Sequence, residues 1–187
     1  ANYLYAFAIW VYSLLPWTGI ESLQNIELSS LQPISYRWVN ALLGSLLCLV
    51  IYGISFQLTK NKFYSLIATS LVVLDGSLIV DSRIALANTF LVFFGFSGLY
   101  FFLRFYIQNG SVHNLVFSGL LMGMAVSIKW SGLGFVLLAL MIVILLKNDL
   151  QTKTNHLNLK NAVLYALIII TTYVATFLPD IFLNSNY

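Results

Sequence analysis

Long apolar runs, interrupted by short breaks that carry most of the charged residues, constrain this fold more than any other feature of the sequence. A helix needs about 20 mainly apolar residues to cross a membrane. The runs predict six transmembrane helices, approximately Tyr36–Leu58, Phe63–Val80, Ile84–Ile107, Leu115–Ile128, Gly132–Leu146 and Ala162–Leu178. The predicted fold class is therefore all-α: a polytopic integral membrane bundle that forms a single domain over residues 1–187.

The composition excludes an ordinary soluble domain. Hydrophobic residues make up 60% of the chain and charged residues only 8%, whereas a soluble domain has about 25% charged residues. The nine basic residues are spread over separate breaks, which does not predict binding to nucleic acid. Cys48 is the single cysteine and lies in an apolar run, so the sequence predicts no disulfide framework, no metal site and no cofactor.

Two segments can each be placed in the membrane in more than one way. Ala1–Trp17 is apolar and rich in aromatic residues, so an interfacial or re-entrant helix competes with a true span. The fourth and fifth runs are separated only by Lys129-Trp130-Ser131, and together they are too long for one crossing, so we expect a tight hairpin. The chain opens on Ala1 without an initiator methionine and stops at Tyr187 after an apolar segment; we expect a piece of a longer protein.

The distribution of lysine and arginine predicts the orientation of the bundle. Alternating spans place on one side the breaks that contain Lys60, Lys62, Arg104, Lys147, Lys153 and Lys160, with Asp149 as their only acid. We expect that side to be cytoplasmic. The opposite breaks contain Arg37, Arg83 and Lys129 together with Glu21, Glu27, Asp75, Asp81 and Asp180. We expect that side to face outwards.

Three cations on the outward side break the positive-inside pattern, and each lies at the end of an apolar run: Arg37, Arg83 and Lys129. Two or three basic side chains at one membrane face suit a phosphate headgroup, since arginine provides bidentate contacts and lysine a point charge. Asp75 lies six residues before Asp81, about 9 Å along a helix, which would place Asp75 below the outer surface and on one helix face with Ser82. The sequence therefore predicts a pocket for an anionic lipid carrier.

Each of these residues also has a structural interpretation. An outer arginine or lysine can extend to lipid phosphates without forming a site. Asp81 and Arg83 can form a local ion pair, and Trp130 can be an interfacial anchor. Asp75 is harder to explain in this way, because an ionisable residue within a membrane span usually marks a functional site.

Three segments resemble the protein O-mannosyltransferase family. VVLDGSLIVDSRIALANTFLVFF and, after it, GLLMGMAVSIKWSGLGF carry the most specific part of the likeness, and SYRWVNALLGSLL resembles the start of the family's second transmembrane helix. The segments occur in the family's order and cover most of Ser35–Leu146. The family belongs to the C-type superfamily of integral-membrane glycosyltransferases. Its members transfer mannose from a dolichyl- or polyprenyl-phosphate carrier to Ser or Thr of proteins outside the cytoplasm.

The resemblance implies roles for several residues. Arg37 matches an essential arginine of the family, Ser82 and Arg83 match its Ser-Arg pair, and Lys129 and Trp130 match its Lys-Trp pair near the donor phosphate. Asp75 and Asp81 would orient the cations. Asn88 stands where many relatives have Asp, so we assign it no catalytic role.

The resemblance also implies what lies elsewhere in the protein. The family's catalytic acidic pair would precede Ala1, so the catalytic residues of this chain are unknown and the isolated piece is expected to be inactive. The expected partners are a polyprenyl-phosphate-linked sugar donor, a protein acceptor and membrane lipids. Whether the protein forms a dimer is left open. A bacterial plasma membrane, with the site facing outwards, is the expected location, or the endoplasmic reticulum in a eukaryote.

Three other functions stay open at this stage. One keeps the donor class but has a lipid or glycan acceptor, as in aminoarabinose transferases. Another is a transporter or channel subunit, in which the buried charges would line a path, although the sequence contains no convincing internal repeat. A third is an assembly subunit without activity of its own.

Overall fold

The computed structural model describes residues 6–7, 9–11, 34–76, 80–81, 87–149 and 158–178, and these residues form an all-helical bundle without strands. Its main helices are α1 (Ile34–Thr59), α2 (Lys62–Val73), α3 (Ala87–Leu103), α4 (Val112–Ile128), α5 (Leu133–Asp149) and α6 (Leu159–Ala175). A π-helix (Arg104–Asn109) extends α3, and a 3-10 turn (Trp130–Gly132) precedes α5. The predicted all-α class is confirmed.

Two helices are long and apolar enough to cross a membrane by themselves, Arg37–Thr59 and Ala87–Gln108. The other main helices of the described residues are apolar but span only 12 to 17 residues, less than the roughly 20 that a full crossing needs. The count of six spans therefore stays a prediction. The helical backbone at 6–7 and 9–11 does not distinguish an interfacial helix from a span.

The predicted span Phe63–Val80 is wrong as one continuous helix. Helix α2 ends at Val73, and the Leu74 amide donates to the Ser70 carbonyl at 3.0 Å. The Asp75 amide donates to the Val72 carbonyl at 3.2 Å. This bond spans three residues, as in a 3-10 turn, instead of the four of an α-helix, so the α-helix ends here. The adjacent Asp75-Gly76 pair has low helix propensity, so the apolar run breaks there.

Helices α1 and α2 form an antiparallel hairpin with a two-residue link. Lys60 adopts a left-handed conformation, with φ 54°, which ends α1. Asn61 then caps α2, because its Oδ1 accepts a hydrogen bond from the Phe63 amide at 2.9 Å.

The chain also reverses between α4 and α5, as the sequence predicts. Lys129 leaves the helical conformation, with φ −159° and ψ 139°. A Cβ atom on Gly132 would lie 2.6 Å from the Ala125 carbonyl carbon. Residues seven apart in a continuous helix are separated by about 10 Å, so the two runs are a hairpin and not one long helix.

The core lies where α3, α4 and α6 pack together. Gly98 on α3 faces Met122, while Gly119 and Gly123 on α4 face Ile168 and Thr172 of α6. These contacts show that α4 runs parallel to α6. The small residues let the backbones approach closely.

Helix α1 packs along the other side of α3. A Cβ atom on Gly53 would lie 2.7 Å from Tyr100 Cε2, and Gln57 Nε2 donates to the Tyr100 carbonyl at 3.5 Å. Both contacts are close to the C-terminal ends of α1 and α3, as expected for helices that run in the same direction. The bundle thus has a lysine end, where α1 and α3 end near Lys60 and Arg104, and a tryptophan end, where α4 ends at Lys129-Trp130.

Candidate functional site

The Lys129–Gly132 turn is the most prominent polar feature of the tryptophan end. The Lys129 amide closes α4 on the Ala125 carbonyl at 3.3 Å, and its carbonyl accepts from the Gly132 amide at 2.8 Å. The Lys129 side chain is exposed, and Trp130 is 73% exposed. An exposed ammonium and an exposed indole therefore project from adjacent positions of one short turn.

Two aromatic residues from α6 and its C-terminal end adjoin this turn, and sequence reasoning did not identify them. Tyr173 packs edge-on against Trp130, with ring centroids 6.5 Å apart, and Phe177 lies 5.0 Å from Tyr173 by the same measure. Edge-to-face pairs of this kind are favourable. Aromatic residues near the end of an apolar run were the available signal, but nothing local to that run points to Trp130.

Arg37 lies in the first turn of α1, where its side chain is exposed. Because α1 runs parallel to α3 and α3 runs antiparallel to α4, the start of α1 and the end of α4 lie at the same end of the bundle. Arg37 and Lys129 therefore share the tryptophan end. The sequence predicts this shared side from span alternation alone.

Asp81 is half-buried and is joined to Asn88 across the start of α3. Asn88 Nδ2 donates to Asp81 Oδ2 at 3.3 Å, so the amide holds the carboxylate in place. Sequence reasoning assigned Asn88 no role. Asp81 precedes α3, which begins at Ala87, so a helical spacing does not predict this contact.

The other predicted site residues have different outcomes. Asp75 is exposed at the break after α2. Its depth in a membrane therefore cannot be calculated from the rise of one continuous helix. The expectation that Asp75 and Ser82 share a helix face loses its basis for the same reason. Ser82 and Arg83 lie outside the described residues, as does their relation to Lys129. The convergence of three cations stays a prediction.

The arrangement favours an anionic amphiphile over a metal ion. Within the described residues, no three His, Cys, Asp or Glu side chains come together as metal ligands. The exposed ammonium of Lys129 is a point charge that can pair with a phosphate. The exposed rings next to it suit the boundary between an apolar and a polar phase.

Fold and site together define an apolar helical bundle with a basic and aromatic end. The family model described as dolichyl-phosphate-mannose-protein mannosyltransferase matches residues 1–183. The chain belongs to this family, and the resemblance seen in the sequence is confirmed.

A curated relative supports the same assignment. The chain is 28% identical over 126 residues to a polyprenol-phosphate-mannose–protein mannosyltransferase of Corynebacterium glutamicum. The match covers 56% of this chain and 24% of the relative, so the chain spans about a quarter of that protein's length. No solved structure matches the chain.

Proposed function

We propose that this chain is the part of a polyprenyl-phosphate-mannose-dependent glycosyltransferase that holds the donor phosphate. The observation that carries the proposal is the turn after α4, which exposes Lys129 and Trp130 side by side at the end of an apolar bundle. Membership of the mannosyltransferase family supports the donor class. Lys129 contacts the phosphate, and Arg37 and Arg83 complete the basic pocket.

Charge neutralisation is the chemical task of these cations. When the bond between mannose and the carrier breaks, negative charge develops on the leaving phosphate, and preorganised positive groups stabilise the transition state. The acceptor hydroxyl also needs a general base. The family resemblance assigns that base to an acidic pair in the part of the protein before Ala1, so transfer requires the complete protein.

The carrier reaches this pocket from the membrane. Many large apolar side chains are exposed on the outer faces of the bundle, among them Leu137, Ile144 and Ile170, which are 66%, 63% and 57% exposed. Such faces suit contact with lipid. We propose a multi-pass membrane protein whose tryptophan end faces outwards, because the lysine end carries more of the basic residues. The acceptors are Ser and Thr hydroxyls of proteins on that side.

The Lys129→Ala variant of the complete protein tests the role of the turn. We expect kcat/KM for mannosyl transfer to a Ser/Thr-rich peptide to fall by at least about 10²-fold, the loss typical of removing one group that stabilises developing negative charge. Membrane insertion should be unchanged, since the side chain is exposed. Transfer is measured with a radiolabelled polyprenyl-phosphate mannose donor, and insertion by membrane fractionation.

Lys160→Ala is the matched control, because it removes one exposed lysine at the start of α6, at the lysine end of the bundle. We expect it to retain near-normal transfer. Near-normal transfer by Lys129→Ala would contradict the proposed phosphate contact. Transfer to a lipid acceptor but not to the peptide would keep the donor site and refute the protein acceptor.

A further inference from the structure

Arg104 is the most unusual charged residue of the lysine end. It begins the π-helix that extends α3, and its side chain is only partly accessible. The guanidinium Nε is buried, and no group that the structure describes accepts a hydrogen bond from it. A buried donor without an acceptor is destabilising, and more so when it is charged. An acceptor from outside the described chain would remove this cost.

The contact between α1 and α3 shows what lies next to Arg104. Gln57 is 4% exposed, and its side-chain amide reaches the Tyr100 carbonyl. In a helix that carbonyl points towards the residue four positions later, which here is Arg104. Gln57 therefore lies within about one helical turn of Arg104, and its buried Oε1 likewise accepts no hydrogen bond from any group that the structure describes.

Two lysines follow Gln57 in the link between α1 and α2, at the same end of the bundle. Lys60 lies three residues after Gln57 and adopts the left-handed conformation that ends α1, and Lys62 begins α2. Both side chains are exposed. Because α1 and α3 run parallel, the link between α1 and α2 and the start of the π-helix lie at one end of the same helix pair. Positive charge from three residues therefore lies at this end of the helix pair.

The surface beside these lysines is apolar and aromatic. Phe63 and Tyr64 directly follow Lys62 in α2, and they are 66% and 59% exposed. Exposed aromatic residues next to lysines are typical of the boundary between headgroups and acyl chains. A lipid can thus place its phosphate at the cations and its acyl chains along α2, which free phosphate cannot do.

We propose that Arg104, Lys60 and Lys62 bind the phosphodiester of an anionic phospholipid at the lysine end of the bundle. Because Arg104 Nε and Gln57 Oε1 are buried in the structure, both side chains turn outwards when the lipid binds. The guanidinium then donates to a phosphate oxygen, Gln57 Oε1 accepts from a headgroup hydroxyl, and the lysines supply exposed charge. Phosphatidylglycerol carries both the phosphodiester and the hydroxyls. This site lies opposite the donor pocket. It rests on the membrane placement proposed above but not on mannosyl transfer.

Lipid binding to the complete protein, purified in detergent, tests the site by native mass spectrometry with added phosphatidylglycerol or phosphatidylcholine. We expect wild-type protein to bind phosphatidylglycerol preferentially, and Arg104→Gln to weaken that binding about tenfold, the effect of losing one charge-assisted contact. The exposed pair Lys60→Gln/Lys62→Gln should weaken binding without affecting folding, and so tests the site even if Arg104→Gln does not fold.

Lys160→Gln is the control, because it removes an exposed lysine at the start of α6. That helix contacts the other face of α3, where Phe102 packs on Tyr165. We expect it to leave phosphatidylglycerol binding unchanged. Equal losses in Lys160→Gln and Lys60→Gln/Lys62→Gln would overturn the proposal in favour of a diffuse charge effect, as would unchanged binding in Arg104→Gln. Displacement of the lipid by inorganic phosphate alone would identify a simple anion site. Transfer measured on the same variants tests the donor pocket separately.

Discussion

Lys129 and Asp81 show two ways in which a single charged residue is accommodated in this apolar chain. Lys129 has an extended backbone conformation between two helices, so its ammonium is exposed instead of being buried against a neighbouring helix. Asp81 is half-buried, and an amide hydrogen bond from Asn88 compensates part of its lost hydration. An exposed group such as the Lys129 ammonium can bind a ligand directly. A hydrogen-bonded carboxylate such as that of Asp81 is better suited to positioning other groups.

The contact between Asn88 and Asp81 leads to a prediction at the residue scale. In the complete protein, Asn88→Ala should lower kcat/KM for mannosyl transfer about two- to tenfold, because it removes one hydrogen bond worth about 0.5–1.5 kcal/mol. Insertion and expression should be unchanged. Gln108→Ala, an exposed amide at the lysine end, is the control. Transfer rates equal to wild type in Asn88→Ala would refute a positioning role for this amide.

At the scale of elements, the turn between α4 and α5 determines where Lys129 projects. Gly132 is buried against the backbone of Ala125 and Val126, which brings the start of α5 back onto the last turns of α4. Trp130 is then positioned next to Tyr173 of α6. The exposed lysine therefore depends on a backbone contact that only glycine permits.

Two glycines two residues apart provide a matched test of this turn. A Cβ atom at position 132 would lie 2.6 Å from backbone atoms, whereas at position 134 it would meet nothing within 4 Å. We expect Gly132→Ala to destabilise the protein by about 1–3 kcal/mol, the usual effect of overpacking. Gly134→Ala should be neutral or stabilise by up to about 1 kcal/mol.

Thermal unfolding in detergent distinguishes the two variants. Each kcal/mol corresponds to about 2–4 °C in Tm for a domain of this size, and we expect Gly132→Ala also to lower mannosyl transfer. If both alanine variants had the same Tm, the close approach of the two backbones would not determine the stability of the turn.

At the scale of the whole molecule, one buried hydroxyl joins three helices. Ser118 on α4 is completely buried. Its Oγ donates to the Gly98 carbonyl of α3 at 2.8 Å and lies 3.1 Å from the Tyr165 hydroxyl of α6. The Tyr165 hydroxyl also reaches Met122 Sδ at 2.9 Å. In a bundle with so few polar groups, this network specifies how the apolar helices align.

We expect Ser118→Ala to destabilise the bundle by about 0.6 kcal/mol, the average measured for hydrogen bonds between membrane helices, and by at most about 1.7 kcal/mol. Ser127→Ala is the control, because among the described residues the Ser127 hydroxyl bonds only to the Gly123 carbonyl of its own helix. A double-mutant cycle with Tyr165→Phe measures the coupling. Strictly additive changes in the free energy of unfolding would show that the two hydroxyls do not act together.

The sequence by itself determined the class of protein, the family and much of the order of elements. The transfer free energy of long apolar runs depends on composition, so runs and breaks are visible in the sequence. The Lys129-Trp130-Ser131 break predicts the hairpin that the structure contains, and the family motifs are contiguous segments. The interruption at Asp75 was not predicted, because hydrophobicity alone defined the span; the low helix propensity of Asp75-Gly76 was the available signal.

The tertiary structure alone decided which side chains meet. Apolar helices have little contrast between their faces, so their sequences do not indicate which face turns to a neighbour. For that reason Tyr173 next to Trp130, and Gln57 next to the Tyr100 carbonyl, were not predicted. Contacts between helices depend on small residues and on a few buried polar groups, and these acquire their partners only when the helices pack.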